Sequence, residues 1–135
     1  MPMGPAPLGL VYFTAIKFAG YTAMAYWLRS QYPQGTTAPW KVGLVRTIIG
    51  LSAGICIVFV ADGIGVDVPS LRFYALLLPV RIAEWMLLLK LFYERPEWRW
   101  RRAFGWSLFG YLWSTLLDLP AIATAFMLPG GVWVC

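Results

Sequence analysis

Four ionisable residues lie deep within apolar segments of this chain, and they are its strongest candidates for chemistry. They are Lys17, Arg81, Glu84 and Asp118. Placing one such charge at the centre of a membrane helix costs about 2.5–3.5 kcal/mol. Four unpaired charges would therefore cost about as much as the whole stability of a typical domain. We expect these side chains to face the interior of the protein and to pair with one another.

The spacing of the four residues predicts which of them pair. At about 1.5 Å of helix rise per residue, each lies about 12–16 Å from the outer boundary of its segment, so all four share one layer near the middle of a membrane. Arg81 and Glu84 are three residues apart and share a helix face, which leaves Lys17 for Asp118. Arg46 lies only about 6 Å inside the inner boundary, where it can either snorkel outward or join the layer.

The segments that hold these charges are long enough to be transmembrane helices, which need about 20 mainly apolar residues. Four segments qualify: residues 8–28, 42–61, 73–92 and 105–128. Connectors with proline or glycine separate them at residues 29–41, 62–72 and 93–104. Backbone groups in lipid must be satisfied within their own segment. The sequence therefore predicts an all-α fold, a polytopic membrane protein whose four-transmembrane-helix bundle forms one domain over residues 1–135.

Composition supports the membrane class and excludes several others. Of 135 residues, 60% are hydrophobic and 13% are charged, whereas soluble domains carry about 25% charged residues. The chain has no histidine, which removes His-ligated haem, most zinc sites and His-dependent triads. Its two cysteines have no CxxC spacing. We expect neither a metal nor a cofactor.

Small residues mark the faces through which the helices touch, because they let backbones approach closely. Two stripes occur at helical spacing, Gly43, Gly50 and Gly54 on the second segment and Ser107, Gly110 and Ser114 on the fourth. Asp118 continues the second stripe and should therefore face inward. Tyr21 follows Lys17 by one helical turn, so its hydroxyl could join the charged layer.

The distribution of Lys and Arg predicts the orientation of the bundle. Connectors 29–41 and 93–104 are basic, whereas 62–72 holds Asp62, Asp67 and only Arg72. The positive-inside rule places the two basic connectors in the cytoplasm and both termini on the outer side, as in a bacterial inner (plasma) membrane. Residues 97–102 fit a headgroup anchor better than a nucleic-acid site. An inner aromatic belt would comprise Trp27, Tyr32, Trp40, Tyr93, Trp98, Trp100 and Trp106.

The charged layer predicts a binding or transport site for a small anionic or proton-coupled ligand. Glu84 and Asp118 would be its protonatable groups, and Lys17, Arg46 and Arg81 would hold an anion. Four helices form a narrow bundle, so transport would need a homo-oligomer or a larger membrane complex. The alternative is a non-catalytic accessory or scaffold subunit of such a complex. An enzyme is disfavoured, because the sequence offers no nucleophile–base pair.

Overall fold

The computed structural model describes residues 7–32, 37–66, 71–93 and 99–125, and these are helical with no strand among them. The helices are α1 (Pro7–Gln31), α2 (Pro39–Gly63), α3 (Leu71–Phe92) and α4 (Trp100–Ala125). The predicted all-α fold with four helices is confirmed. Several positions used in the sequence analysis lie outside the described residues, namely Asp67, Trp98 and 126–128, the predicted end of the fourth segment.

The helices extend past the apolar segments that predicted them. α2 begins at Pro39, because a proline in the first helical turn needs no backbone donor. α4 begins at Trp100, because the two arginines that follow are good helix formers. α2 ends with Ile64 at its C-cap and with a glycine, Gly65, directly after it. Gly65 has φ of +68°, and the backbone N–H of Val66 bonds to the carbonyl of Ala61 at 2.8 Å. Glycine adopts this left-handed conformation without steric cost.

The four helices form a ring in which each helix packs against two others. α1 contacts α2 and α4, and α3 contacts the same two. Among the described residues, the diagonal pair α1 and α3 meets through side chains. Arg102 at the start of α4 donates to the carbonyl of Gln31 at the end of α1, with 2.8 Å between the two atoms. The ends joined by connectors 29–41 and 93–104 therefore lie at one end of the bundle.

Two apolar clusters fill the bundle at different heights. The larger lies at the end of the two basic connectors and contains Tyr21, Met24, Ala25, Leu28, Tyr32, Val42, Trp85, Leu88, Leu89, Tyr93 and Ala103. The smaller lies toward the opposite end and contains Ile57, Ala61, Phe73 and Leu77.

Two members of the predicted aromatic belt belong to the larger cluster instead. Tyr32 and Tyr93 are buried, with ring centroids 5.7 Å apart, so their expected outward orientation is wrong. The guanidinium of Arg102 covers the Tyr32 ring at 4.2 Å, and this closes that end of the bundle. Trp40 and Trp100 are exposed, as a belt requires.

By length and composition, one of the described helices is apolar enough to cross a membrane. That helix is α2. The other three helices carry more polar, charged or aromatic residues. For example, α3 contains four charged residues, Arg72, Arg81, Glu84 and Lys90. A single helix of this kind also occurs in the cores of soluble proteins.

The Tyr93 hydroxyl yields a prediction about stability at alkaline pH. It donates to the carbonyl of Ala25 at 3.1 Å, and burial raises the pKa of Tyr93 to about 12. This pKa is above the value of about 10 for an unfolded chain. The neutral hydroxyl therefore stabilises the fold fully below pH 10, and this contribution is lost as the pH rises toward 12.

We expect Tyr93→Phe to lower the unfolding free energy at neutral pH by about 1 kcal/mol, the usual net value of such a hydrogen bond. The variant should also lose less stability than the native chain between pH 10 and 12. Thermal unfolding of the purified protein across this pH range measures both effects. Tyr26→Phe is the control, because Tyr26 is exposed. Parallel alkaline curves for native and Tyr93→Phe proteins would contradict the assignment.

Candidate functional site

The charged residues predicted to form one layer converge between the four helices. Lys17 comes from α1, Arg46 from α2, Arg81 and Glu84 from α3, and Asp118 from α4. All five are buried, with exposed fractions between 1% and 7%. We call these five residues the charge cluster. Buried charges of this kind must be paired and hydrogen-bonded, because removing them from water is costly.

Lys17 connects α1 to α4. Its ammonium forms an ion pair with the carboxylate of Asp118, which is the pairing predicted from the sequence. It also donates to the backbone carbonyl of Ser114 at 3.1 Å. The rings of Phe13 and Tyr21 lie 5.2 and 5.7 Å from the ammonium nitrogen, within the range of cation–π attraction. One side chain thus links two helices through charge, hydrogen bonding and aromatic contact.

Arg46 points into the bundle, which decides between the two orientations that the sequence allowed. Its Nη1 lies 2.8 Å from Oε2 of Glu84. The contact is an ion pair without hydrogen-bond alignment, so Nη1 has no hydrogen-bond partner among the described residues. The guanidinium carbon lies 4.9 Å from the Tyr21 ring centroid and 5.0 Å from that of Trp85. Two aromatic rings and one carboxylate therefore hold Arg46 in place.

Arg81 shares the same carboxylate oxygen at a longer distance. Its Nη1 lies 3.5 Å from Oε2 of Glu84, and the predicted pairing along α3 is therefore present. Nη1 of Arg46 lies 2.8 Å from that oxygen and Nη1 of Arg81 lies 3.5 Å from it, so Arg46 is 0.7 Å closer. Glu84 therefore compensates Arg46 more strongly than it compensates Arg81, because Coulomb attraction falls with distance.

Ser114 is the hydrogen-bonding centre beside the charge cluster. Its hydroxyl oxygen accepts from the hydroxyl of Tyr21 at 3.3 Å and from the indole N–H of Trp85 at 3.1 Å. The small-residue stripe predicted Ser114 only as a packing residue, and no sequence pattern predicted a role for Trp85. Trp85 lies four residues after Arg81, on the same helix face, and this spacing was the available signal.

Three glycines of the two predicted stripes lie close to a specific neighbour on another helix or in the charge cluster. A methyl group added at Gly43 would overlap Thr22 of α1, and one at Gly110 would overlap the Trp85 indole. At Gly50 it would lie 3.0 Å from Nη1 of Arg46 and 3.3 Å from Nη1 of Arg81. Gly54 and Ser107 are also buried.

The charge cluster holds more positive than negative groups. Its three cations face two carboxylates, and arginine stays protonated in proteins. Several of its polar atoms have no hydrogen-bond partner among the described residues: Arg46 Nε and Nη2, Arg81 Nη2 and Glu84 Oε1. Those residues contain no group of three His, Cys, Asp or Glu side chains that could hold a metal ion. The chemistry available is binding of an anion and movement of a proton to or from a carboxylate.

The Lys17–Asp118 pair predicts opposite results for single and double substitution. Lys17→Met or Asp118→Leu alone leaves one uncompensated buried charge, and we expect each to lower the unfolding free energy by about 3–5 kcal/mol. The double variant removes both charges and should recover most of that loss. Thermal unfolding of all three variants measures the coupling between the two sites. Additive losses in the double variant would show that the two side chains are not coupled.

Comparison with known proteins identified no relative of this chain. No family model matches the chain, and no curated protein or solved structure matches it either. The charge cluster therefore carries the functional argument by itself.

Proposed function

We propose that this chain is a four-span membrane protein whose charge cluster binds a small anion, which an oligomer of the chain could carry across the bilayer. The observation that carries the proposal is the excess of buried cations over carboxylates at the meeting point of all four helices. A buried excess charge is costly in a medium of low polarity. A bound anion would remove that cost.

The outer surface supports the membrane part of the proposal. Large apolar side chains are exposed on every helix, for example Val11, Ile48, Leu78 and Leu112. In α2, only 28% of the most apolar stretch is buried inside the bundle. Soluble monomers rarely expose contiguous apolar patches of more than a few hundred Å². A bundle with charges inside and apolar side chains outside suits lipid better than water.

The basic end of the bundle supports the proposed orientation. Exposed cationic side chains at that end come from all four helices, and they are Arg29, Lys41, Lys90, Arg101 and Arg102. Trp40 and Trp100 are exposed beside them. Such a combination of basic and aromatic side chains is typical of a cytoplasmic membrane interface. We propose that connectors 29–41 and 93–104 lie on that side, in a plasma membrane of the bacterial inner-membrane type.

The position of Cys56 tests the membrane placement. This cysteine is exposed on α2, among side chains that would face hydrocarbon. In proteoliposomes of a Cys135→Ser variant, a polar maleimide should label Cys56 slowly, because a thiol in hydrocarbon does not ionise. The control is Ser30→Cys in a chain without Cys56 and Cys135, since Ser30 is exposed at the basic end of the bundle. Equal labelling rates at the two positions would contradict the proposed span.

Chloride tests the binding function directly. A ligand that binds only the folded state raises its stability by RT ln(1 + [L]/Kd). We expect the melting temperature to rise as chloride replaces gluconate at constant ionic strength. Arg81→Gln should abolish this rise, whereas the control Arg101→Gln, on the exposed surface, should preserve it. An unchanged melting temperature for the native chain in chloride, nitrate and acetate would overturn the proposal of an anion site.

The second candidate function is a scaffold subunit of a larger membrane complex. The observation that favours it is that Lys17–Asp118 and Arg46–Glu84 are ion pairs closed within the chain, which could serve only to fix the helix register. Purification in a mild detergent followed by a mass measurement separates the two candidates. Unlike chains bound at a fixed ratio, together with indifference to anions, would favour the subunit.

A further inference from the structure

The excess positive charge of the cluster lies on Arg46 and Arg81, because these two arginines share one carboxylate. Asp118 pairs with Lys17, and Oε2 of Glu84 lies 2.8 Å from Nη1 of Arg46 and accepts a hydrogen bond from Nη1 of Arg81 at 3.5 Å. Of the three cations, Arg81 therefore has the longest ion pair. Its Nη2 is buried and has no hydrogen-bond partner among the described residues. A guanidinium keeps its charge at any accessible pH, so it cannot escape this cost by losing a proton.

A small cavity borders Arg81 between α1, α2 and α3. Its volume is about 10 Å³, and its wall is formed by Phe13, Thr14, Lys17, Tyr21, Thr47, Gly50, Leu51 and Arg81. The wall therefore includes two cations and neither carboxylate of the cluster. Both carboxylates lie elsewhere, toward the partners that they neutralise. The charged groups that line this cavity are therefore both positive.

The cavity is limited in size by its wall. A volume of about 10 Å³ is close to the smallest that holds a single water-sized group. Phe13 and Leu51 are apolar, and Thr47 donates its hydroxyl proton to the carbonyl of Gly43 at 2.8 Å. Tyr21 likewise donates its proton to Ser114. Lys17 and Arg81 are therefore the wall groups that can attract an anion most strongly. The space matches one atom of about the size of water, as fluoride is, and a chloride ion needs the flexible side chains of Lys17 and Arg81 to move outward.

We propose that this cavity is the seat of the anion and that it selects a single small monatomic anion, fluoride or with slight widening chloride, over larger or polyatomic ones. This inference rests on the proposed function and adds the place and size limit of the site. Arg81 donates to the anion from its guanidinium, and Lys17 contributes its charge from the α1 side. Gly50 keeps the cavity open, because any side chain there would approach both guanidinium groups.

The test compares a size series of anions with a substitution at the cavity wall. Melting temperatures are measured at constant ionic strength with fluoride, chloride, iodide and nitrate, and the same series on Arg81→Gln removes effects unrelated to the site. We expect fluoride or chloride to stabilise the native chain and to have at least tenfold higher affinity than iodide or nitrate. Gly50→Ala should weaken chloride binding at least tenfold. It should still fold, because the methyl group meets the ends of two flexible side chains.

Gly105→Ala is the matched control, since Gly105 is also helical and a methyl group there meets nothing within 4 Å. Its chloride affinity should equal that of the native chain. Chloride binding that is unchanged in Gly50→Ala, or equal affinity for iodide and chloride, would overturn the cavity assignment while leaving an anion site elsewhere in the cluster. Absence of any anion effect on the native chain would overturn the proposed function as well.

Ionisation of Tyr21 is the competing way to neutralise the cluster, because its hydroxyl lies beside Lys17, Arg46 and Arg81. Ultraviolet absorption distinguishes the two. Our proposal predicts no tyrosinate band at neutral pH and an intact chloride response in Tyr21→Phe. A tyrosinate band in the native chain that disappears in Tyr21→Phe would overturn the proposal, since the compensating charge would then belong to the protein.

Discussion

The ion pair between Arg46 and Glu84 is the interaction on which the rest of the bundle depends. It joins α2 to α3 at 2.8 Å, and the Tyr21 ring on α1 stacks against the same guanidinium. A buried arginine must be met by a carboxylate and by polarisable surfaces, because water cannot reach it. This requirement fixes the rotation of three helices about their axes. The fourth helix is then positioned by Asp118 and Ser114.

With the helices in this rotation, their backbones must also lie close together. Charged side chains of this length reach one another only if the helices that carry them are near, and small residues supply that proximity. Gly43 allows α2 to touch Thr22 of α1, and Gly110 makes room on α4 for the Trp85 indole. Apolar side chains fill the bundle in two clusters beside these charges, and further large apolar side chains such as Ile48 and Leu112 lie on its outer surface.

Much of the fold and part of the site could be predicted from the sequence. Apolar length gave the four helices, and spacing gave the Arg81–Glu84 and Lys17–Asp118 pairs, because both depend on distance along a helix. The primary role of Arg46 could not be predicted in this way, since a residue near a helix end can point inward or outward with similar cost. The burial of Tyr93 was missed because hydropathy places aromatic residues at helix ends without specifying which way they face.

The order of the charges along the chain has a consequence for synthesis. Lys17 and Arg46 belong to the first two helices, whereas both carboxylates of the cluster, Glu84 and Asp118, come from the last two. During N-to-C-terminal synthesis, the first helical hairpin therefore exists for a time with two cations of the cluster and neither of its carboxylates. Its final docking must await the second hairpin. The first half of the chain thus acquires its native packing only when the second half brings Glu84 and Asp118 to Arg46 and Lys17.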